Sequence, residues 1–322
     1  MSGDGPILGR PAGALAPMGA LGAADAGGAG GGGSCASALG PGERPGYLGR
    51  IVPAVLGRLE ERRRRLPLSR LEAMTAPAGR PSFGAAVRAP GMSLVAEVKR
   101  ASPSKGPIRP GLQVGALVQA YEAAGARAVS VLTEEDHFLG SLDDLRVAAE
   151  YTGLPLLRKD FIVDPYQVHE ARVWGASAVL LIAVLLDDRL LRLLAGLAQD
   201  LGLDVLLEVH DQRDMARALE IEGAIIGVNN RDLHTFEVSL ETTLRLAGAV
   251  PRERPLVGES GIRGHGDVER LASSGVDAVL VGEGILRNAD VEAAIRALMY
   301  PLPLVAQRPI GDRSDTLGKE AG

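Results

Sequence analysis

Glu97 and Lys99 stand two residues apart at the end of the apolar run Ser93-Leu-Val-Ala-Glu-Val-Lys99, just before the chain turns at Pro103. Side chains alternate faces along a strand, so both point the same way as Val95. Paired on a strand face, a carboxylate and an ammonium can pass a proton or hold a charged substrate; on an isolated strand they would be a surface ion pair of little value. Recurrence favours chemistry. Later apolar runs also close on polar groups: Thr133 and Glu134; Arg158, Lys159, Asp160 and Phe161; Glu208 and His210; Asn229, Asn230, Arg231 and Asp232; Glu259 and Ser260; Gly282 and Glu283. The run ending at Ala183 stays apolar. Brought to one mouth, Lys99 and Lys159 with Glu97, Glu208 and Glu259 would shift one another's pKa values, which equips them for general acid and base catalysis. Ser102 closes the first group.

The elements that must position these groups are short Val, Ile, Leu and Ala runs: Leu94 to Val98, Ala128 to Leu132, Pro155 to Leu157, Ala178 to Ile182, Val205 to Val209, Ala224 to Val228, Pro255 to Val257 and Ala278 to Val281. Amphipathic stretches such as Leu112 to Ala124 and Asp187 to Leu201 lie between them. Near-continuous apolar strands alternating with helices imply a parallel sheet covered on both faces. Eight such units between Tyr47 and Tyr300 fit a closed (β/α)8 TIM barrel of the α/β class. No GxGxxG follows a strand, as a dinucleotide-binding open sheet would require. In a barrel the residues closing each strand share one rim, which is where active sites lie.

The last two strands carry a second signal, Val257-Gly-Glu-Ser-Gly-Ile262 and Leu280-Val-Gly-Glu-Gly-Ile285. Glycine-containing turns after the seventh and eighth strands, followed by helix N-termini, present backbone N–H groups to a phosphate. A carboxylate beside a phosphate is unfavourable, so Glu283 is expected to turn its side chain away and offer its backbone N–H.

Before the first strand, Tyr47 to Met74 reads as one surface helix, with Ile51, Val55 and Leu59 on one face and Glu60-Glu-Arg-Arg-Arg-Arg65 as a solvated charge block. Residues 1–46 hold 15 of the 42 glycines and read as a flexible tail; 47–300 form the catalytic barrel, and 301–322 a C-terminal tail.

Composition narrows the function further. The chain has 322 residues, a net charge of −5, a pI near 5.7 and 3% aromatic residues, which gives neither a basic field nor stacking platforms for nucleic acid. Cys35 has no cysteine to pair with, and His137, His169, His210, His234 and His265 show no metal-ligand spacing, so no metal or cofactor is expected. The longest apolar run, near Ala176 to Leu186, is about half of what a bilayer crossing needs. With no secretory leader pattern either, the expectation is a cytoplasmic protein whose partner is a small molecule.

The motifs AEVKRASPSKG (96–106), SVLTE (130–134), LRKDFIVDPYQ (157–167), LLEVH (206–210), GVNNRDL (227–233), GESGI (258–262) and LVGE (280–283) resemble, in this order, those of the indole-3-glycerol-phosphate synthase family. The resemblance covers residues 47–300. It implies a phosphate-binding TIM barrel with an additional N-terminal helix, closing 1-(2-carboxyphenylamino)-1-deoxyribulose 5-phosphate to indole-3-glycerol phosphate with loss of carbon dioxide and water. Carried over by motif, Lys159 is the general acid, and Glu97 and Glu208 take and return protons. Lys99 pairs with the anthranilate carboxylate, Asn229 and Ser260 complete the catalytic set, and Ser102, Phe161, Arg231 and Glu259 bind substrate. Ser260, Gly261, Gly282 and Glu283 hold the phosphate. The resemblance also implies a monomer that associates at most weakly with other tryptophan-pathway enzymes. Two rivals remain at this level. An isomerase of phosphoribosyl-amine compounds would want a rim cysteine or second aspartate, and a silent sugar-phosphate-binding barrel would want the rim lysines and glutamates lost.

Overall fold

Eight parallel strands close on themselves in the computed structural model, which describes residues 47–77, 79–103, 105–109, 111–233, 235–306 and 308. The proposed tail 1–46 with Cys35, together with His234 and 309–322, lies outside the described residues. The barrel strands are β1 (Ser93–Val98), β2 (Ala128–Leu132), β3 (Leu156–Lys159), β4 (Ala178–Ile182), β5 (Asp204–Val209), β6 (Ile225–Asn229), β7 (Leu256–Glu259) and β8 (Ala278–Val281). They neighbour one another in chain order, and β8 returns to pair with β1, Ser93 opposite Ala278. Nearly every strand residue is buried, because the lumen covers one face and a ring of helices the other.

Three helices precede the barrel where the pattern predicts one: α1 (Tyr47–Arg65), α2 (Leu68–Glu72) and α3 (Phe83–Val87). The predicted Tyr47 to Met74 helix breaks at Pro67, whose ring leaves no N–H to continue the helical ladder. The outer ring then runs α4 (Val114–Ala123), α5 (Leu142–Tyr151), α6 (Pro165–Val173), α7 (Asp188–Asp200), α8 (Gln212–Leu219), α9 (Glu241–Ala247), α10 (His265–Ser273), α11 (Glu283–Leu286) and α12 (Val291–Met299). Several begin where a short polar side chain accepts a hydrogen bond from a free helical N–H: Ser141 for α5, Asp164 for α6, Asp187 for α7 and Asp211 for α8.

Helix α1 is less of a surface helix than its charge block suggests. Ile51, Val55 and Leu59 are buried, and Leu59 packs with Leu71, Tyr166 and Val173. Arg62 donates to Glu170 at 2.8 Å and Arg63 pairs with the buried Asp164, so only Arg64 and Arg65 of the four are solvated. Charge runs on helices usually face water; here the neighbouring α6 supplies the compensating carboxylates. The opposite end of the chain is also tied down as far as it is described. Ala306 N–H donates to Ala272 O at 2.9 Å, and Arg308 reaches Asp277 at 2.8 Å across the amino end of the barrel.

Strand ends shift in an informative way. Three predicted runs match the structure residue for residue, whereas β3, β6 and β7 extend past their apolar runs to include Lys159, Asn229 and Glu259. Backbone pairing carries them on: Leu132 lies opposite Lys159, and Asn229 opposite Glu259. These polar groups therefore sit on regular strand, held by the ladder, and not on a loop.

Candidate active site

The side chains of Glu97, Lys159, Glu208 and Glu259 come from β1, β3, β5 and β7. Alternate strands of such a barrel contribute the four side chains of one lumen layer, which is ordinarily Val, Ile or Leu. Here the layer that faces the open end is charged. Glu97, Lys159 and Glu208 form the floor of a cavity of about 620 Å³ at the carboxyl ends of the strands, whereas Glu259, expected from the sequence to bind substrate, is fully buried against Lys159 and does not line it.

Lys159 is the hub. Its Nζ lies 2.7 Å from Glu259 Oε2 and 3.6 Å from Glu97 Oε2, and Lys99 makes a second ion pair with Glu97 Oε1. Asn229 Nδ2 donates to Glu208 Oε1 at 3.0 Å. Two glycines let the carboxylates approach this closely. A Cβ at residue 227 would stand 2.4 Å from Glu259 Oε1, and one at residue 282 would stand 2.6 Å from Glu97 Oε1.

Burial opposes charge on all four groups, and the neighbours decide the outcome. For Lys159, Glu259, Glu97 and Glu208 outweigh burial and hold the ammonium well above its ordinary range. Burial likewise works against ionised Glu97, but Lys99 and Lys159 keep its carboxyl low. Glu208 is pulled down to about 2 against burial, by His210, Lys159 and Asn229. Glu259 goes the other way, up to about 7, because burial and the nearby Glu208 and Glu97 overcome Lys159. Its Oε1 is buried with no hydrogen-bond partner, which makes full charge there costly. The layer thus combines a persistent acid, two persistent carboxylates and one carboxyl poised near neutrality.

The other sequence-predicted residues gather around this floor. Ser102 and Phe161 line the cavity, Ser102 with its Oγ buried and unpartnered, Phe161 with its ring 6.3 Å from Phe138. Arg231 also lines it; its backbone N–H donates to Asn229 Oδ1 at 3.0 Å. Ser260 and Gly261 adopt consecutive left-handed conformations, φ 63° and 81°, which turn their backbone toward the cavity mouth. Gly282 caps α11, and the Glu283 carboxylate is held by Lys105 at 2.7 Å and Arg287 at 2.8 Å, an arrangement that neutralises it while its N–H opens the helix.

Several rim groups singled out in the sequence do not reach the cavity. Thr133 donates to Asp160 at 2.6 Å, and Arg158 binds Thr133, Asp160, Glu170 and the Gln167 carbonyl. Glu134 accepts the N–H groups of His137 and Phe138, fixing the loop after β2. Asn230 donates to Ser260 O at 3.1 Å and so supports the left-handed turn from behind. For Thr133, Arg158 and Asn230 the physical reason is the strand period of two, since a residue beside an inward one faces the helices; Glu134 lies past the strand and is turned aside by those loop N–H groups. Asp160, adjacent to Lys159 in sequence, pairs with Arg158, while Lys159 pairs across the lumen with Glu259 and Glu97.

Sequence reasoning missed two groups of lining residues. One is an apolar wall that includes Leu180, Ile182, Leu233 and Phe236. The run ending at Ala183 carries no polar group, and its apolar residues Leu180 and Ile182 are the kind of surface that an aromatic ring needs. The other group is Lys105, Arg263 and Arg287 around the two glycine turns. Lys105 was in view within SPSKG, and Arg263 directly follows GESGI. No group of three or more His, Cys, Asp or Glu is arranged to hold a metal among the described residues, and no described helix is long and apolar enough to cross a membrane.

Residues 48–298 match the family model described as indole-3-glycerol phosphate synthase. The chain is similar to a protein of Dehalococcoides mccartyi named indole-3-glycerol phosphate synthase, 47% identical over 257 residues, 78% of this chain and 99% of the relative. It is also similar to indole-3-glycerol phosphate synthase 2 of Ralstonia nicotianae, 49% identical over 207 residues, 64% of this chain and 77% of the relative. Among solved structures it resembles 3-hexulose-6-phosphate synthase from Salmonella typhimurium, TM-score 0.51 at 17% identity over 64% of this chain and 96% of that one. Thiamine phosphate pyrophosphorylase from Pyrococcus furiosus matches with TM-score 0.50 at 18% identity, over 64% and 93%. These two share the barrel.

Proposed function

The chain belongs to the indole-3-glycerol phosphate synthase family, and from that premise we propose how its lumen layer performs the reaction. The protein is a carboxy-lyase of tryptophan biosynthesis, acting on 1-(2-carboxyphenylamino)-1-deoxyribulose 5-phosphate. In the first step the ring carbon that bears the carboxylate attacks the ribulose carbonyl. A carbon–carbon bond forms, and the carbonyl oxygen takes a proton from Lys159. The bond to the carboxyl group then breaks, its electrons restore the aromatic ring, and carbon dioxide leaves. Finally the new hydroxyl departs as water with a second proton, and a carboxylate removes the proton from the former ribulose C1 to complete the indole.

The observation that carries this reading is the position of Lys159 Nζ in the lumen between Glu259 and Glu97, charged at neutral pH and partly reachable from the cavity. An acid that must protonate oxygen twice needs a route for reloading its proton, and the three carboxylates of the layer provide one. Glu97 and Glu208, both ionised, take and return protons. Lys99 pairs with the substrate carboxylate before it is lost. Asn229 fixes Glu208, Arg231 positions the ribulose chain, and the buried Glu259 orients Lys159. Leu180, Ile182 and Phe161 receive the aromatic ring. The phosphate sits on the backbone of Ser260, Gly261, Gly282 and Glu283, where Ser260 also donates its hydroxyl and Lys105, Arg263 and Arg287 add positive charge. Ser102 closes the same mouth. We read the protein as a monomer that acts in the cytoplasm, in keeping with a soluble biosynthetic enzyme family; sedimentation at micromolar concentration checks the monomer.

The test is a fluorescence assay on the purified full chain with the carboxyphenylamino substrate and no added metal or nucleotide. Growth of indole fluorescence is expected. None at micromolar enzyme would overturn the assignment.

A further inference from the structure

Beside Glu208, and not among the residues that line the cavity, lies a group that the mechanism does not use. His210 follows two residues after Glu208, where β5 passes into α8, and its ring is largely buried. Nε2 is 3.2 Å from Glu208 Oε1, and Nδ1 is 3.6 Å from Asp214 Oδ2. Neither nitrogen has an aligned hydrogen-bond partner, so the contacts are those of an ion sandwiched between two carboxylates. The remaining charges around it divide: the Asp211 carboxylate favours a charged ring, while the cations Arg217 and Lys159 keep the two carboxylates ionised but oppose charge on the ring itself. Asp211 caps α8 beside it, Arg217 stands 3.9 Å from the far oxygen of Asp214, and Lys159 and Asn229 act on Glu208 from β3 and β6.

We infer that His210 is a positioning residue for the reaction: its imidazolium, fixed by Asp214, pins Glu208 through Oε1 and keeps that carboxylate ionised and aimed at the substrate. A neutral imidazole would leave two buried carboxylates facing buried nitrogens, one of them without a proton to offer. A charged one satisfies both, and the ring is accordingly held protonated far above its ordinary range, up to about 10, because the two carboxylates outweigh burial. Glu208 therefore keeps its charge as the lumen fills with a substrate that is itself anionic. The inference rests on the reading of Glu208 as a proton-transfer group.

Two measurements on the full chain test it. In nitrogen-15 NMR, with the His210 resonance assigned by comparison with His210→Gln, the imidazole is expected to be charged at pH 8, and to titrate at lower pH in Glu208→Gln. A neutral His210 at pH 8 in the wild type would overturn the inference whether or not any variant folds. In steady-state kinetics, His210→Gln is expected to lower kcat by about tenfold or more and to move the acid limb of the kcat profile up by about one pH unit, with KM within about twofold. An unchanged acid limb would contradict it. Full turnover in Glu208→Gln would remove the reading on which it rests, and the NMR result separates that failure from its own.

Discussion

Arg158 and Lys159 are adjacent cations on β3, and they do opposite things. Arg158 faces α6 and is fully buried, and its donors meet Thr133, the Gln167 carbonyl, Glu170 and Asp160. Lys159 faces the lumen, where three carboxylates crowd it and one of them, Glu259, keeps an unpartnered oxygen. One residue of strand register separates a charge that is structural from one that is reactive. A satisfied buried cation locks geometry. An over-supplied cluster holds protons in competition, which is the condition for moving them.

The largest expected effect breaks the reactive side. Lys159→Met should lower kcat on the order of 10³-fold or more, since it removes the acid and the charge that faces the developing oxyanion, while the protein stays folded and binds substrate through the phosphate. Steady-state assays with a binding titration check this; if only affinity fell, Lys159 would be a binding group. Arg158→Met should break the other side. It leaves Asp160 buried without a guanidinium and Glu170 with Arg62 alone, and is expected to cost about 3–5 kcal/mol in urea unfolding.

Glu259 sharpens the contrast through pH. Its pKa is raised in the folded protein to about 7, so the folded state holds a proton that the unfolded chain has released. That contribution is complete below the ordinary carboxyl range and is lost as pH rises toward 7. Glu259→Gln should therefore stabilise the protein by about 1–2 kcal/mol at pH 8 and by nothing near pH 4, while turnover falls. Thermal unfolding at the two pH values checks the sign. Smallest of all, Arg65→Ala should change stability by less than about 0.5 kcal/mol, because that side chain is the solvated part of the arginine run; a larger loss would show that α1 is held along its whole charged face.

Much of this was legible in the sequence, and the reasons differ by residue. The barrel follows from eight apolar runs, whose period and spacing survive in one dimension. Glu97, Lys99, Lys159, Glu208 and Glu259 could be picked out because charge at the end of an apolar run is costly and conspicuous. Which neighbours face the lumen was not legible. Arg158, Thr133 and Asn230 look as functional as Lys159 and Asn229 until the strand register is known. The apolar wall of Leu180 and Ile182 left no signal, since core and ring-binding surface have the same composition. The split of the arginine run on α1 depends on Asp164 and Glu170, about a hundred residues away in the chain.

The most direct measurement follows the carboxyl carbon. With substrate labelled in the anthranilate carboxylate, the wild-type protein should release labelled carbon dioxide and form indole product in equal amounts, and Lys159→Met should lose both together. Indole product without label release, or label release without indole, would contradict attack at the carboxylate-bearing carbon from the Lys159 side of the lumen.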